Sequence, residues 1–166
     1  MRKLTATLCL TLAVILGSAG ASWGNGRVKP FEILETKFFV VLYADTATGQ
    51  ETSQEFETTL VPHMPRKSCY GWGIKVSTAD TLIKFREEFT LPAEPKFWSG
   101  ENNEFATNRI INKRRTSITN EFSKPDKGWV KKVWCVVKGD PEGKYSIRVF
   151  FNDQFIKNFD FEVRRM

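Results

Sequence analysis

The chain has 166 residues, 41% of them hydrophobic, with 25 Lys and Arg against 19 Asp and Glu and a formal net charge of +6. That length bounds it to one domain with a full core. A single histidine excludes a histidine-rich metal centre, and the sequence holds no CxxC, no HExxH and no Gly-rich phosphate loop.

Arg2 and Lys3 precede an apolar run from Leu4 to Leu16, and the small residues Gly17-Ser18-Ala19-Gly20-Ala21 follow. This is the layout of a secretory signal over residues 1–21, with Ala19 and Ala21 in the A-x-A pattern and cleavage before Ser22. The run is shorter than the roughly 20 residues that span a bilayer, which argues against a membrane anchor. Cys9 lies inside the run rather than at the cut, so no lipoprotein signal is read. The mature chain is expected to be periplasmic or secreted, with no transmembrane segment. Without Arg2 and Lys3 it keeps 23 basic residues against 19 acidic ones. That mild balance permits an acidic partner without demanding nucleic acid.

Residues 22–30 are Gly-rich and read as a flexible start, and residues 31–166 as a single domain. Phe31 to Ala44 is rich in Phe, Val, Ile and Thr and predicts a long first strand. Its alternation breaks at Phe38-Phe39-Val40-Val41, which predicts burial on both faces or a bulge. A turn at residues 45–50 leads into an alternating strand from Ser53 to Val61. Pro62 and Pro65 then stop the strand, because proline cannot donate to a β ladder. From Tyr70 to Val76, Trp72, Ile74 and Val76 share one face and the glycines take the other. Ile83, Phe85, Glu87, Phe89 and Leu91 line one face of the next strand, where Glu87 marks either a sheet edge or a buried pair. Pro92 to Asn108 reads as a long functional loop. Ile110 to Phe122 reads as a polar strand containing Lys113, Arg114 and Arg115. Trp129 to Lys138 predicts a strand. Lys144 to Phe151 and Gln154 to Val163 predict a hairpin turned at Asn152-Asp153, with Phe155, Phe159, Phe161 and Val163 on the last strand. No segment holds a helical period, and turn signals recur every 8–15 residues, which predicts an all-β sandwich of two packed antiparallel sheets, with about 7–9 strands.

Cys69 and Cys135 survive cleavage, and an even count in an oxidising compartment reads as one disulfide. Closing a loop of that length is worth about 4 kcal/mol in the chain-entropy account. The alternative is a pair of buried free thiols.

The segments Trp134 to Gly139, Gly143 to Ile156 and Phe159 to Val163 look like the closing hairpin of immunoglobulin-like domains. With Val61-Pro62, Tyr70 to Val76 and Leu91-Pro92 upstream, the order resembles a bacterial family of small exported proteins of unknown function with an immunoglobulin-like β-sandwich. The resemblance spans roughly Phe31 to Val163 and brings no catalytic or ligand residues. The chain departs from it in the cysteine pair and in the basic segment around Arg114.

Catalytic constellations are scarce. A nucleophilic triad would have to use His63, which lies between Pro62 and Pro65. Glu87 and Glu88 are adjacent, so their side chains point to opposite faces of a strand and cannot act together. Trp72 and Trp134 read as core. Trp98 and Phe97, in the long loop, are candidates for stacking on a sugar or anchoring a partner, unless the loop folds down onto the sandwich. Lys113, Arg114 and Arg115, with Arg109 before them and Lys124, Lys127, Lys131 and Lys132 after, form either a basic stripe on two neighbouring strands or a solvated face that blocks edge pairing. The function these features predict is an exported non-catalytic binding or structural module for a protein or glycan of the cell envelope, needing no cofactor, no metal and no nucleic acid. A carbohydrate-binding accessory module is the second reading, and a hydrolase using His63 the third.

Overall fold

Alternating apolar residues make the strands, and strands are the regular elements of the computed structural model, which describes residues 31–45, 51–96, 98 and 106–166. In chain order they are β1 (Phe31–Asp45), β2 (Glu51–Phe56), β3 (Leu60–Pro62), β4 (Ser68–Thr78), β5 (Ile83–Thr90), β6 (Ala106–Ile111), β7 (Thr116–Ser123), β8 (Trp129–Cys135), β9 (Gly143–Phe151) and β10 (Gln154–Arg164). The expected signal segment, residues 22–30 and most of the first turn lie outside the described residues.

The strands form two sheets, in the orders β2-β1-β4-β8 and β3-β10-β9-β5-β7-β6. The β4–β8 pair and the β10-β9-β5 run match the B–E and G–F–C neighbours of an immunoglobulin sandwich. The pairing is antiparallel except at β3, which lies parallel to the end of β10. The fold is thus the expected all-β sandwich, with ten described strands rather than seven to nine.

Two corrections account for the difference. Residues 53–61, expected as one strand, serve both sheets: β2 pairs with β1, and β3 with β10. Between them the Leu60 amide donates to the Thr58 hydroxyl, and the Glu162 amide to the Thr59 carbonyl. The chain changes sheets here while its apolar alternation runs on, so periodicity hid the break. Residues 110–122, also expected as one strand, fold into the β6–β7 hairpin. Asn112, Lys113 and Arg114 turn it with φ of 54°, 51° and 62°, a backbone region that carries no residue-type signal for lysine or arginine.

Inside, β4 presents Tyr70, Trp72, Ile74 and Val76 to Phe85, Phe89, Tyr145, Ile147, Phe151 and Phe161 of the facing sheet. Rings interlock there: Phe38 stacks on Phe161 at 4.6 Å, and Trp72 meets Phe85 edge-on at 5.3 Å. Phe39 and Val40 are both buried, on opposite faces of β1, as the broken alternation predicts; the bulge itself lies earlier, between Ile33 and Glu35. Asn152 and Asp153 have φ of 47° and 64° and turn the last hairpin as expected. A bulge between Phe155 and Lys157 resets the face of β10. Phe155 is therefore 51% exposed and packs against Phe150 outside the core, unlike Phe159, Phe161 and Val163.

Tyr145 opens β9 and donates its hydroxyl to the Pro141 carbonyl at 2.5 Å, the corner that closes many such sandwiches. Burial pushes its phenol upward, so it stays a donor across the physiological range. Tyr145→Phe is expected to cost about 1 kcal/mol in denaturant unfolding, with the fold intact.

Gly71 of β4 is a close-approach glycine. A β-carbon there would lie 2.2 Å from the Lys132 carbonyl oxygen of β8. Backbone cannot move aside as a flexible side chain can, so Gly71→Ala is expected to lower stability by about 1–3 kcal/mol in the same measurement.

Candidate functional site

The loop after β5 and the β6–β7 turn come together, joining three residues singled out from the sequence. The Trp98 indole N–H donates to the Arg114 carbonyl at 2.7 Å, and its ring packs edge-on against Phe89 at 5.7 Å. The Arg114 guanidinium meets Glu94 at 2.9 Å. The Leu91 amide donates to the Arg115 carbonyl, and the Arg115 guanidinium back to the Leu91 carbonyl at 3.3 Å. These groups satisfy one another and tie Glu94 and Trp98 to the β6–β7 turn. Trp98 is half-buried over a cavity of about 30 Å³ lined by Tyr70, Phe89 and Trp134 among others, room for about one water. Its placement is the folded-down alternative. Phe97 lies outside the described residues.

Lys113 and Arg114 occupy the turn rather than a strand, and β7 and β8 belong to different sheets. The first alternative, a stripe across two neighbouring strands, is therefore not formed. Within β8 itself, Lys131 points outward, while Lys132 reaches between the sheets to Glu121.

His63 follows β3, and its Nε2 sits 3.1 Å from the Asp140 carbonyl. The Asp140 carboxylate accepts the Val137 amide at 2.9 Å, and burial pushes that carboxyl upward. His63 thus braces the chain ahead of β9; this is not the geometry of a nucleophile and its base.

Glu87 and Glu88 face opposite ways, as expected. Glu88 lies outside, bonded to Arg86 and, at 2.8 Å, to Arg148. Glu87 is fully buried on β5, which is flanked by β7 and β9, so it marks no edge. Its two oxygens accept the indole N–H groups of Trp72 on β4 and Trp134 on β8, the latter at 3.0 Å. Burial pushes this carboxyl up to about 7, against the indole bonds and the charge of Lys132, which pull it down. The group bolts the two sheets together. Cys69 and Cys135 face each other across β4 and β8 and form the expected disulfide, within one sheet rather than between the two.

A cluster of cations around one aromatic ring lies on the outer face of the four-stranded sheet. Gly71 and Gly73 leave space there for two rings. Phe39 lies by Gly71, and a β-carbon at Gly73 would come within 3.2 Å of the Trp129 ring. Three ammonium groups from three strands surround Trp129: Lys37 at 5.3 Å, Lys131 at 5.6 Å and Lys75 at 5.9 Å from the ring centre. Glu55 holds Lys37 at 2.5 Å. Among the described residues, no carboxylate lies within ion-pair distance of Lys75 or Lys131, and Glu35 stands directly opposite Lys75 in the β1–β4 register. A groove of about 490 Å³ continues from the ring past Lys124, Asp126 and Lys127. The face offers an aromatic surface and cations for anionic groups. Sequence reading reached Lys124, Lys127 and Lys131 as members of a basic run. It missed Trp129, Lys37 and Lys75, because strand order brings them together. The one local signal was the glycine side of β4, which had to lie under something bulky.

Comparison with known proteins gives two findings. A family model described as the PM0630 beta sandwich domain matches residues 38–164. Among solved structures, the chain is similar to an immunoglobulin-like protein from Pseudomonas aeruginosa, at 13% identity over 84% of this chain and 100% of that one, with a TM-score of 0.49. None of the curated proteins matches.

Proposed function

The chain belongs to the PM0630 beta sandwich domain family, and from that premise we propose that it is an exported, non-catalytic binding module that recognises an acidic macromolecule of the cell envelope. The observation that carries this reading is the outer face of the four-stranded sheet, where Lys37, Lys75 and Lys131 surround Trp129. On the other sheet, Arg86 and Arg148 pair with Glu88, and Arg86 also with Asp153. Cations clustered about a ring on a rigid sheet steer an anionic partner and fix its orientation. Export rests on the Arg2-Lys3 start, the apolar run and Ala19-x-Ala21. It agrees with a disulfide at Cys69 and Cys135, which persists in an oxidising compartment.

Crosslinking in the native envelope, followed by mass spectrometry, tests the reading. Adducts are expected on Lys75 and Lys131, with anionic envelope components attached. Adducts confined to the 112–115 turn, or recovery of the uncut precursor in the cytoplasm, would overturn it.

A further inference from the structure

We propose that the outer face of the four-stranded sheet is a subsite for an acidic polysaccharide, with Trp129 as the stacking ring and Lys75 and Lys131 as the partners of its carboxylates. This rests on the binding-module reading and names the chemical class of the ligand.

A sugar acid presents two different surfaces. The C–H face of its ring packs on an aromatic plane, and its carboxylate wants a cation a few ångströms to the side. Trp129 offers the first. Gly73 backs one side of its ring, and the residue is half-buried, so part of it remains open to solvent. Lys75 and Lys131 offer the second, from different strands. The rigid ladder between β4 and β8, closed by the Cys69–Cys135 bridge, fixes their separation.

Extent favours a polymer over a single anion. The groove beyond Trp129 is lined by Lys124, Asp126 and Lys127, and at about 490 Å³ it has room for more than one small anion. An aromatic plane together with several cations suits a chain of charged rings. A lipid surface would instead be met by apolar side chains that insert into it. On this face Phe39 is buried, and Val133 is the exposed large aliphatic of β8.

Isothermal titration calorimetry of the full mature protein with polygalacturonate tests the assignment. Neutral dextran, anionic phospholipid vesicles and duplex DNA serve as the other arms. The wild type is expected to bind polygalacturonate and not dextran, and to weaken as salt is raised. The double variant Lys75→Gln/Lys131→Gln should lose roughly tenfold or more in affinity. Lys113→Gln/Arg114→Gln, on the β6–β7 turn, should bind as the wild type does. Both pairs are exposed or partly exposed, and unchanged thermal unfolding would show that the fold is kept. No binding of polygalacturonate, or binding indifferent to the Lys75/Lys131 pair, overturns the proposal. Lysine-dependent binding of vesicles or DNA alone also overturns the sugar assignment, but leaves the binding-module reading standing. Failure in every arm removes both.

Discussion

Glu87→Ala is expected to destabilise the protein by about 3–5 kcal/mol, because it strands the buried Trp72 indole donor and the half-buried one of Trp134 and opens a cavity between the sheets. Urea unfolding would show the loss as a lower midpoint at unchanged slope. Glu87→Gln separates charge from shape. It keeps the volume and one acceptor oxygen but turns an amide N–H₂ towards one of the indoles, so it should cost less than alanine. The charge also leaves a pH signature. Burial lifts the Glu87 carboxyl from 4.5 to about 7 in the folded protein. Between those values the folded state holds the proton and the unfolded state does not, so stability falls as pH rises through that window and levels off above about 7. The span is on the order of 3 kcal/mol. Burial also lifts Asp140, which adds a change of the same sign. Loss of most of the slope in Glu87→Gln assigns it to Glu87, and an unchanged slope would refute that assignment.

Removing the disulfide is the other large effect. Cys69 and Cys135 are 66 residues apart and directly opposed in the β4–β8 register. Cys69→Ala/Cys135→Ala should lose about 4 kcal/mol if restriction of the unfolded chain dominates. The oxidised protein, unfolded in denaturant, should show no reactive thiol at these two positions. Detection of two would contradict the bridge. Because β8 is an edge strand of its sheet, its loosening should also free Trp134 and Lys131, coupling loss of the bridge to loss of the proposed anion binding.

The sandwich was legible in the sequence where one face of a strand is apolar and the other is not. β5 alternates in burial along its length and β9 does so from Lys144 to Val149, and the Asn152-Asp153 turn carries its own conformational preference. Legibility failed where tertiary geometry overrides local pattern. Residues 53–61 keep their alternation while changing sheets, and nothing in Lys113 or Arg114 announces a left-handed turn. Glu87 was visible as an anomaly, but its partners were not, because an indole N–H from another sheet has no sequence signature. The candidate face was the least legible part. Lys37, Lys75 and Lys131 lie on β1, β4 and β8, far apart in the chain, and only the strand order β1-β4-β8 gathers them around Trp129. Trp98 shows the converse. A loop tryptophan drew notice for its position, yet its indole is engaged with the Arg114 carbonyl.

Nuclear magnetic resonance of the ¹⁵N-labelled protein, titrated with dextran sulfate as a polyanion, tests most directly the proposed binding face. The expected result is a shift of the Trp129 indole N–H and of the amides of Lys75 and Lys131, with the 112–115 turn and the Trp98 indole left in place. Shifts gathered at that turn, or a spectrum that the polyanion leaves unchanged, would contradict the account.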